Sequence, residues 1–497
     1  MYCSTAYRMP LMIVAAPDWM VLLASVVALG GLLVGAEGLR GLGVSTATTR
    51  RIVHAAVCLF VAATPWLFSG PGPVMGLSAA FVVANGWGRV RGWWPGIHAE
   101  RPESWGTVAV PLAVLPAAAL TWVVAPARIL PFQVAFLVLG LADPMAAAVG
   151  ARWGRRRLTD TATGAGTATM MIVTTGLVGG TLWTAGWSGG RILSAVLVVS
   201  VVAGAVEAIG RRGWDNLLVV IAVIGGLVPF SEGALGGPGL VWGVGLGVVL
   251  AGGATAVGAL TRRGAVGAGL FAASLVGLGG LAWAVPGFAF FVLSSALSFL
   301  PGAPDAGGAG APRRTLRQVL ANGGVAWTLL LGAALAPPGM AALRTVAFAG
   351  FLGALAAAAA DTWATEMGTR YAGCPWSLRD GTRVPPGTSG AVSGVGTLGA
   401  ALGAASVAGA AAVVAPGSDA ALLLGGVAAG LLGMTVDGLA GATIQARYRG
   451  AEGAERETPV RAGDPVRRGW RWVDNDIVNA FGTTAGALAG MGAYVLM

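Results

Sequence analysis

Apolar stretches long enough to cross a bilayer recur from one end of this chain to the other. A helix that spans the hydrocarbon core needs about 20 predominantly apolar residues. Of the 497 residues, 56% are hydrophobic and only 10% are charged, whereas soluble domains carry about 25% charged residues. The pattern predicts an all-α, polytopic integral membrane protein with about 14–16 transmembrane helices.

The distribution of basic residues predicts which loops share a side of the membrane. All 31 basic residues are Arg, since the chain contains no Lys. If residue 1 lies outside and the spans alternate, every Arg falls in an inside loop except Arg8, Arg128, Arg191 and Arg344. Cytoplasmic loops of membrane proteins carry such an excess. We therefore expect a prokaryotic plasma-membrane protein whose motif-bearing loops face the cytoplasm.

Several kinds of chemistry are excluded by what the sequence lacks. Without Lys there is neither a phosphate-loop lysine nor a Schiff base. The three cysteines, Cys3, Cys58 and Cys374, are far apart and only two His are present, so a zinc site is not indicated. Carboxylates are the remaining metal ligands, and they favour Mg²⁺ or Mn²⁺. The net charge of +10 reflects loop arginines, and we expect no nucleic-acid partner.

The chain resembles two copies of one module. The stretches "LADPMAAAVGARWG" (141–154) and "AADTWATEMGTRYAG" (359–373) share an Asp followed by Gly at seven positions and Arg at nine. These residues are Asp143, Gly150 and Arg152 in the first copy, and Asp361, Gly368 and Arg370 in the second. Chance alignment of Ala/Gly-rich sequence is the alternative. We predict two tandem related helical modules, residues 1–250 and 251–497.

Further acidic residues recur in the same order. "WDN" (214–216) and "VDN" (473–475) each stand at the start of a predicted span. An acid precedes each of them near a helix end, and these are Glu207 and Asp437. Carboxylates within membrane segments are expensive and are usually functional. We expect Asp143, Glu207 and Asp215 to hold metal in the first module, with Arg152 beside them on phosphate.

The acids of residues 358–368 do not share one helix face. Positions i, i+4 and i+7 align, so Asp361, Thr365 and Gly368 lie together, while Glu366 points about 140° away. We predict Asp361 as a metal ligand and Glu366 as a separate catalytic group, both at the cytoplasmic end of the span 345–367. A solvated C-terminal turn is the alternative.

A Gly-rich segment, "GTRVPPGTSGAVSGVGTLGA" (381–400), follows in the same loop. Glycine-rich turns and helix N-termini bind phosphate through backbone N–H groups. We expect the phosphate contacts to come from this turn, placed at the start of a helix over 389–415, and from nearby Arg370; the turn residues are Arg383, Gly387, Thr388, Ser389 and Gly390. An ordinary turn with a helix cap is the alternative.

Two further stretches of the second copy carry polar side chains. "TVDGLAGATIQ" (435–445) places Asp437 inside an apolar helix, with Gln445 eight residues later on the same face; a buried structural hydrogen bond is the alternative. "RWVDNDIVNAFGT" (471–483) contains Asp474, Asn475, Asp476 and Asn479. A helix cap with first-turn acids would explain some of them. Mg²⁺ bound to nucleotide phosphates would explain the whole group.

In the first copy two weaker signals precede the later acids. The segment "LTDTATGAGTATM" (158–170) is rich in Gly and Thr and follows three Arg. It is a phosphate contact or a plain helix start. His54, close to Arg50 and Arg51, is a base, a phosphate contact or an interfacial His.

At these residues the sequence resembles known families. "ADTWATEMG", "VPPGTSGAVS", "DGLAGATIQ" and "WVDNDIVNAFGT" are similar to the DUF92 family, which includes plant phytyl phosphate kinase, over about 258–497. "RRIVHAA", "WGTVAVPLA", "ADPMAAAVGARWG" and "VEAIGRRGWDNLLV" resemble the phytol/dolichol kinase family over about 40–230. The usual Lys and Glu of that family are absent from 158–170. In the second half Arg383 replaces a Lys and Ser389 an Asn.

The resemblance implies phosphorylation of a membrane isoprenoid alcohol, and then of the prenyl phosphate, by CTP or another NTP with Mg²⁺ or Mn²⁺. It implies metal binding by Asp361, Asp437, Asp474 and Asp476, with Asn475 and Asn479 orienting ligands. A CTP-dependent lipid-phosphate cytidylyltransferase is the first alternative. A membrane transporter is the second, because repeats and intramembrane acids also mark transporters. The oligomeric state is not indicated.

Overall fold

The structure, a computed structural model, is mostly α-helical. It describes residues 16–92, 103–125, 128–231, 236–298, 313–337, 339–414, 420–449, 455–459 and 464–496. Within these ranges there are 16 helices. Of the described helices, 11 are long and apolar enough to cross a membrane, and two shorter ones are also apolar. The predicted all-α, polytopic membrane fold is confirmed.

The chain divides into two compact units, Met1–Val244 and Gly245–Met497. The helices of the first unit are α1 (Asp18–Gly41), α2 (Thr46–Leu67), α3 (Pro71–Arg91), α4 (Gly106–Val123), α5 (Ile129–Trp153), α6 (Gly164–Thr184), α7 (Gly189–Ile209) and α8 (Asp215–Ser231). Helix α9 (Gly236–Ala256) contains the boundary between the units.

The second unit contains seven more helices and two small sheets. Its helices are α10 (262–279), α11 (Leu281–Ser298), α12 (Leu316–Leu335), α13 (Ala341–Tyr371), α14 (Gly394–Val414), α15 (Ala420–Thr443) and α16 (Asn475–Leu496). The strands are β1 (Trp376–Ser377), β2 (Ala391–Val392), β3 (Arg447–Arg449), β4 (Glu455–Arg456) and β5 (Val466–Arg468). β1 pairs with β2 as an antiparallel hairpin, and β3 lies between β4 and β5.

Helix α5 is the buried centre of the first unit, and a wide turn orients its acid. Residues Val138–Ala142 form a π-turn immediately before Asp143. Pro144 has no N–H and would clash in regular helix, so the wider turn accommodates it. In a π-turn the carbonyl oxygen of Leu139 would accept a hydrogen bond from the backbone N–H of residue 144, which Pro144 lacks. His54 Nε2 lies 3.0 Å from that carbonyl oxygen and takes the place of the missing donor.

Helix α13 is the buried centre of the second unit. Ten of the 14 residues from Ala347 to Ala360 are Ala or Gly, and all 14 are buried apart from one position. Such small side chains let neighbouring helices approach closely. A Cβ at Gly353 would lie 2.2 Å from the carbonyl oxygen of Gly486 on α16, and one at Gly433 of α15 would lie 2.4 Å from Ala357. The close approach holds three helices in a fixed register.

The two units share part of their helix packing, although α13 also packs on α15 and the described residues show no comparable packing of α5 on α7. In the first unit α5 packs on α2, α6 and α8, while α7 packs on α6 and α8. In the second unit α13 packs on α12, α14 and α16, while α15 packs on α14 and α16. The corresponding helices carry the acids that recur in the sequence. The relation between the two modules stays a prediction.

Some predicted helix ends are wrong. Helix α13 runs to Tyr371, so Asp361 lies ten residues before its end and not at the end of a span 345–367. Helix α14 begins at Gly394, not at 389. Helix α15 ends at Thr443, so Gln445 does not share a helix with Asp437. In the last two cases a short β-structure competes with the helix pattern at its polar end.

Candidate active site

A polar cavity of about 940 Å³ opens where the helices of the first unit meet. Its wall is formed by the first turns of α2, α6 and α8, the second half of α5 and the last residues of α7. Asp143, Glu207 and Asp215 all line it. The three acids predicted for the first module are spread over 72 positions of the chain and nevertheless converge on one cavity.

Each of these carboxylates is positioned by its own element. Asp143 follows the π-turn of α5, and its Oδ2 lies 3.7 Å from His54 Nε2. Glu207 accepts a hydrogen bond of 3.1 Å from the hydroxyl of Thr167 on α6. Asp215 is the first residue of α8, where the helix dipole favours a negative charge. The three carboxylates are close enough to repel one another electrostatically.

Arginines contribute most of the positive charge of the same cavity. Its lining includes Arg50, Arg51, Arg157, Arg211 and Arg212. Guanidinium groups are good partners for phosphate oxygens, because they present a planar set of donors. With acids and arginines together, the cavity suits a metal ion bound to phosphates.

The loop before α8 closes one side of this cavity through strained backbone. Arg212 has φ 56° and is the one non-glycine residue with positive φ in the described ranges. Gly213 follows with φ 87°, and a Cβ there would lie 2.3 Å from the backbone nitrogen of Gly106. Asn216 Nδ2 donates to the carbonyl of Gly106 at 3.3 Å. The loop is thus fixed against the start of α4, and such strain often accompanies functional sites.

The Gly/Thr segment 158–170 meets the cavity at the start of α6. Thr163 caps this helix by accepting a hydrogen bond from the backbone N–H of Gly166 at 3.2 Å, and both residues line the cavity. Arg152, in contrast, is not among the lining residues. Its guanidinium lies 5.5 Å from the ring of neighbouring Trp153 on an exposed surface. The phosphate role predicted for Arg152 stays a prediction without structural support.

In the second unit, two acids and two amides gather one turn beyond the glycine contacts. Asp361 on α13 and Asp437 on α15 are close enough to repel each other. With its amide nitrogen toward α15, Asn479 of α16 donates to Asp437 Oδ2 and to the carbonyl of Asn475, each at 3.1 Å. The side-chain amide of Asn322, on α12, lies 3.1 Å from Asn479. These contacts link polar side chains from four helices.

Asp474 and Asp476 form a separate group at the start of α16. Arg317 of α12 contacts Asp474 at 2.6 Å and Asp476 at 3.2 Å. Asp474 also accepts from the backbone N–H of Ile477 at 3.2 Å. This hydrogen bond is a helix N-cap, which was the alternative to metal binding for this group of residues. Both acids are thus engaged with a cation and a helix start, and their role as metal ligands stays a prediction.

Glu366 is also engaged, as the helical spacing implies. It forms an ion pair with Arg370, four residues later on α13, and the side chain of Arg370 is only 1% exposed. A buried guanidinium needs such a partner. The catalytic role of Glu366 and the phosphate contact of Arg370 stay predictions.

The Gly-rich turn docks on other helices and does not start one. Gly387, Thr388, Ser389 and Gly390 precede β2, and the cap of α14 is Ser393, which accepts from Gly396 N–H at 3.0 Å. The prediction that this turn forms a helix N-terminus is therefore wrong.

The contacts of that turn explain its composition. Ser389 donates 2.6 Å to Gln445 Oε1, and Thr388 Oγ1 donates 2.7 Å to Pro385 O. Gly390 has φ 74°, and a Cβ on it would lie 2.6 Å from Ala442. Arg383 stacks 4.2 Å from the ring of Trp376 and donates to the carbonyl of Cys374, inside the hairpin. Phosphate binding by this turn stays a prediction.

One known protein family matches the chain over most of the second unit. Residues 245–487 match the family described as "Integral membrane protein DUF92". The match begins at the residue where the second compact unit begins. It covers the cluster of Asp361, Asp437 and Asn479. No curated protein and no solved structure matches the chain.

The DUF92 match does not reach the first unit. The resemblance of residues 40–230 to phytol/dolichol kinases, and with it the idea of a fusion, stays a prediction. For the polar cavity of that unit, the side chains that line it are the evidence for its function.

The oxygen ligands of both units fit a metal held mainly by phosphates. Among the described residues, no three His, Cys, Asp or Glu side chains lie close enough to form a complete metal site. Mg²⁺ in nucleotide sites keeps waters and takes only one or two carboxylates besides the phosphates. Asp143 with Asp215, and Asp361 with Asp437, provide pairs of this kind.

Several site residues escaped sequence reasoning. Asn322 and Arg317 lie in the stretch "LRQVLANG", which carries no acid. Their partners are more than 150 residues away. Thr167, which orients Glu207, sits in a segment of many Thr and Gly residues, so nothing in the sequence distinguished it.

Proposed function

We propose that the protein transfers a phosphoryl group from CTP, or another nucleoside triphosphate, to an isoprenoid alcohol or prenyl phosphate in the membrane. The observation that carries the proposal is the polar cavity of about 940 Å³, which combines four acids with five arginines. One of these acids, Glu103, pairs with Arg212 at 3.1 Å, so Asp143, Glu207 and Asp215 are the three that concern the reaction. Phosphoryl transfer needs this combination, because catalysis consists mainly of positioning and charge stabilisation. The setting in an integral membrane protein supports a lipid acceptor.

In the first unit, Asp143 and Asp215 would hold the metal ion. An ion such as Mg²⁺ held there would supply positive charge that stabilises the negative charge of the phosphates. The arginines of α2, Arg50 and Arg51, bind the phosphates from one side, and Arg157 binds them from another. Glu207, oriented by Thr167, is left to accept the proton of the attacking hydroxyl at its second carboxylate oxygen.

In the second unit, Asp361 and Asp437 would hold the corresponding ion. Asn479 donates to Asp437 and fixes the orientation of that carboxylate. The acceptor here would be a prenyl phosphate, which already carries its negative charge at the attacking oxygen. This acceptor needs no general base, so a site with two acids and two amides suffices. The product would be a prenyl diphosphate.

Product analysis with variants tests the proposal. Purified protein in nanodiscs is given CTP, Mg²⁺ and either a prenol or a prenyl phosphate. We expect CDP release, with Asp143→Asn abolishing use of the prenol and Asp361→Asn abolishing use of the phosphate. If only Asp361→Asn matters and the prenol is never used, the two-step scheme is wrong.

Two other outcomes would replace the proposal. Release of pyrophosphate with a CMP-lipid would identify a cytidylyltransferase. Substrate uptake into proteoliposomes without nucleotide turnover would identify a transporter. Asp143 and Asp361 each lie ten residues before the end of their helices, so the uptake assay, and not the position of the acids, decides between transfer and transport.

A further inference from the structure

A second, apolar cleft adjoins the polar cavity of the first unit. Its volume is about 150 Å³, and its walls come from α1, α2, α3 and α4. Most of its lining is aliphatic or aromatic, and includes Leu33, Val57, Val61, Leu77, Phe81 and Val114. A narrow apolar cleft between membrane helices is a site for hydrocarbon.

The cleft runs nearly the full length of one spanning helix. Lining residues recur along α2 and its C-terminal cap at intervals of one to four positions, from Thr49 to Phe68. Nineteen residues separate these two, and a rise of 1.5 Å per residue gives about 28 Å. The hydrocarbon core of a bilayer is about 30 Å thick. An extended chain in the cleft would therefore lie along the membrane normal.

The two ends of the cleft differ in polarity. One end is formed by Arg50, His54 and Asn216, which also line the polar cavity. The other end is closed by Phe68 and Val74, which are 1% and 3% exposed. A bound amphiphile thus has one orientation, with its head group toward the cavity. The head group then lies beside Asp143, to which His54 is adjacent.

The cleft is open on one side, and its volume of about 150 Å³ encloses part of one hydrocarbon chain and leaves no room for two. Arg50, which donates to Ser104 Oγ at 3.1 Å, stands at the junction of the cleft and the cavity and provides positive charge for an anionic head. We propose that this cleft binds the tail of a single-chain lipid alcohol and of its phosphate, with the head group in the polar cavity. The inference rests on the proposed function and names its lipid subsite.

Photo-crosslinking tests the cleft without any need for turnover. The probe is a hexadecyl phosphate with a diazirine at the end of its tail, added to the protein in nanodiscs. We expect adducts on the segments around Phe68 and Val74, and we expect unlabelled hexadecyl phosphate, but not hexadecane, to compete. Adducts spread over lipid-facing helix surfaces would indicate bulk lipid and overturn the proposal.

Matched variants sharpen the result. Val57→Trp fills the middle of the cleft, while Leu59→Trp, on a residue 40% exposed and outside the lining, is the control on the same helix. Leu77→Trp and Val83→Trp, the latter on a residue 70% exposed, repeat the comparison on α3. Each filling variant should reduce competed labelling at least tenfold, and each control should leave it unchanged. Equal labelling in all four would overturn the proposal.

The fate of the cleft and that of the proposed function can be separated. If no nucleotide is consumed but the competed adducts remain, the transfer reaction is wrong and the lipid site stands. If transfer occurs, Val57→Trp should reduce the rate of transfer to a twenty-carbon prenol at least tenfold and leave the rate with a five-carbon prenol unchanged. Unchanged use of the long prenol by this variant would refute the cleft and leave the reaction intact.

Discussion

The contact between Gly353 on α13 and Gly486 on α16 allows a quantitative test of the second unit. A Cβ at position 353 would lie 2.2 Å from the carbonyl oxygen of Gly486, whereas ordinary contact starts near 3.4 Å. Gly353→Ala therefore requires the two helices to move apart by about 1.2 Å. The obstacle is backbone and not a flexible side chain, so the strain falls on the helix packing.

The size of the effect follows from two opposing contributions. Overpacking of this kind costs about 1–3 kcal/mol, and replacing Gly by Ala within a helix returns about 1 kcal/mol. Gly409→Ala on α14 is the control, because no atom lies within 4 Å of its added Cβ. The propensity gain cancels between the two variants, so Gly353→Ala should be about 1–3 kcal/mol less stable than Gly409→Ala.

The free energy of unfolding can be measured in mixed micelles with increasing SDS, followed by tryptophan fluorescence. Asp361 lies two turns beyond Gly353, so the displacement should also reach the acid pair. A misplacement of about 1 Å can reduce turnover 100-fold. If Gly353→Ala is as stable as Gly409→Ala and keeps full turnover, the close helix contact described here is wrong.

Three further predictions concern the DUF92-matching unit and the metal. Gly390→Ala should loosen the hairpin and speed tryptic cleavage far more than Gly381→Ala, since both have positive φ but only Gly390 would collide with Ala442; equal cleavage would contradict this. Glu366→Ala removes the carboxylate that pairs with the buried guanidinium of Arg370, which keeps its hydrogen bond to the carbonyl of residue 366, and should destabilise the protein by about 1.5–3 kcal/mol; an unchanged melting temperature would show that the pair contributes nothing. Chelation of divalent cations should abolish CDP release and Mg²⁺ should restore it, and turnover in EDTA would refute the metal's role.

The helical architecture followed from the sequence because its cause is local. A span needs an uninterrupted run of apolar residues, and each such run forms a helix almost regardless of its partners. The acids were found for a related reason. A carboxylate such as Asp143 or Glu207 is conspicuous in apolar sequence, and the cost of burying it implies a function.

What could not be predicted depends on contacts between distant segments. The amide of Asn322 meets Asn479 across 157 residues, and no local pattern identifies that pair. The turn at Gly390 was interpreted as a phosphate loop because its glycines permit that conformation. The structure shows that the same glycine is required for close contact with Ala442. A glycine needed for packing and a glycine needed for phosphate binding look the same in the sequence.

The destination of the terminal phosphate tests the central proposal most directly. Protein in nanodiscs is incubated with a prenol, Mg²⁺ and CTP labelled either at the γ-phosphate or at the α-phosphate, and the lipid is then extracted into organic solvent. Phosphoryl transfer predicts that only the γ label enters the lipid, and that Asp143→Asn prevents this. Recovery of the α label in the lipid, or of no label from either nucleotide, would contradict the proposed reaction.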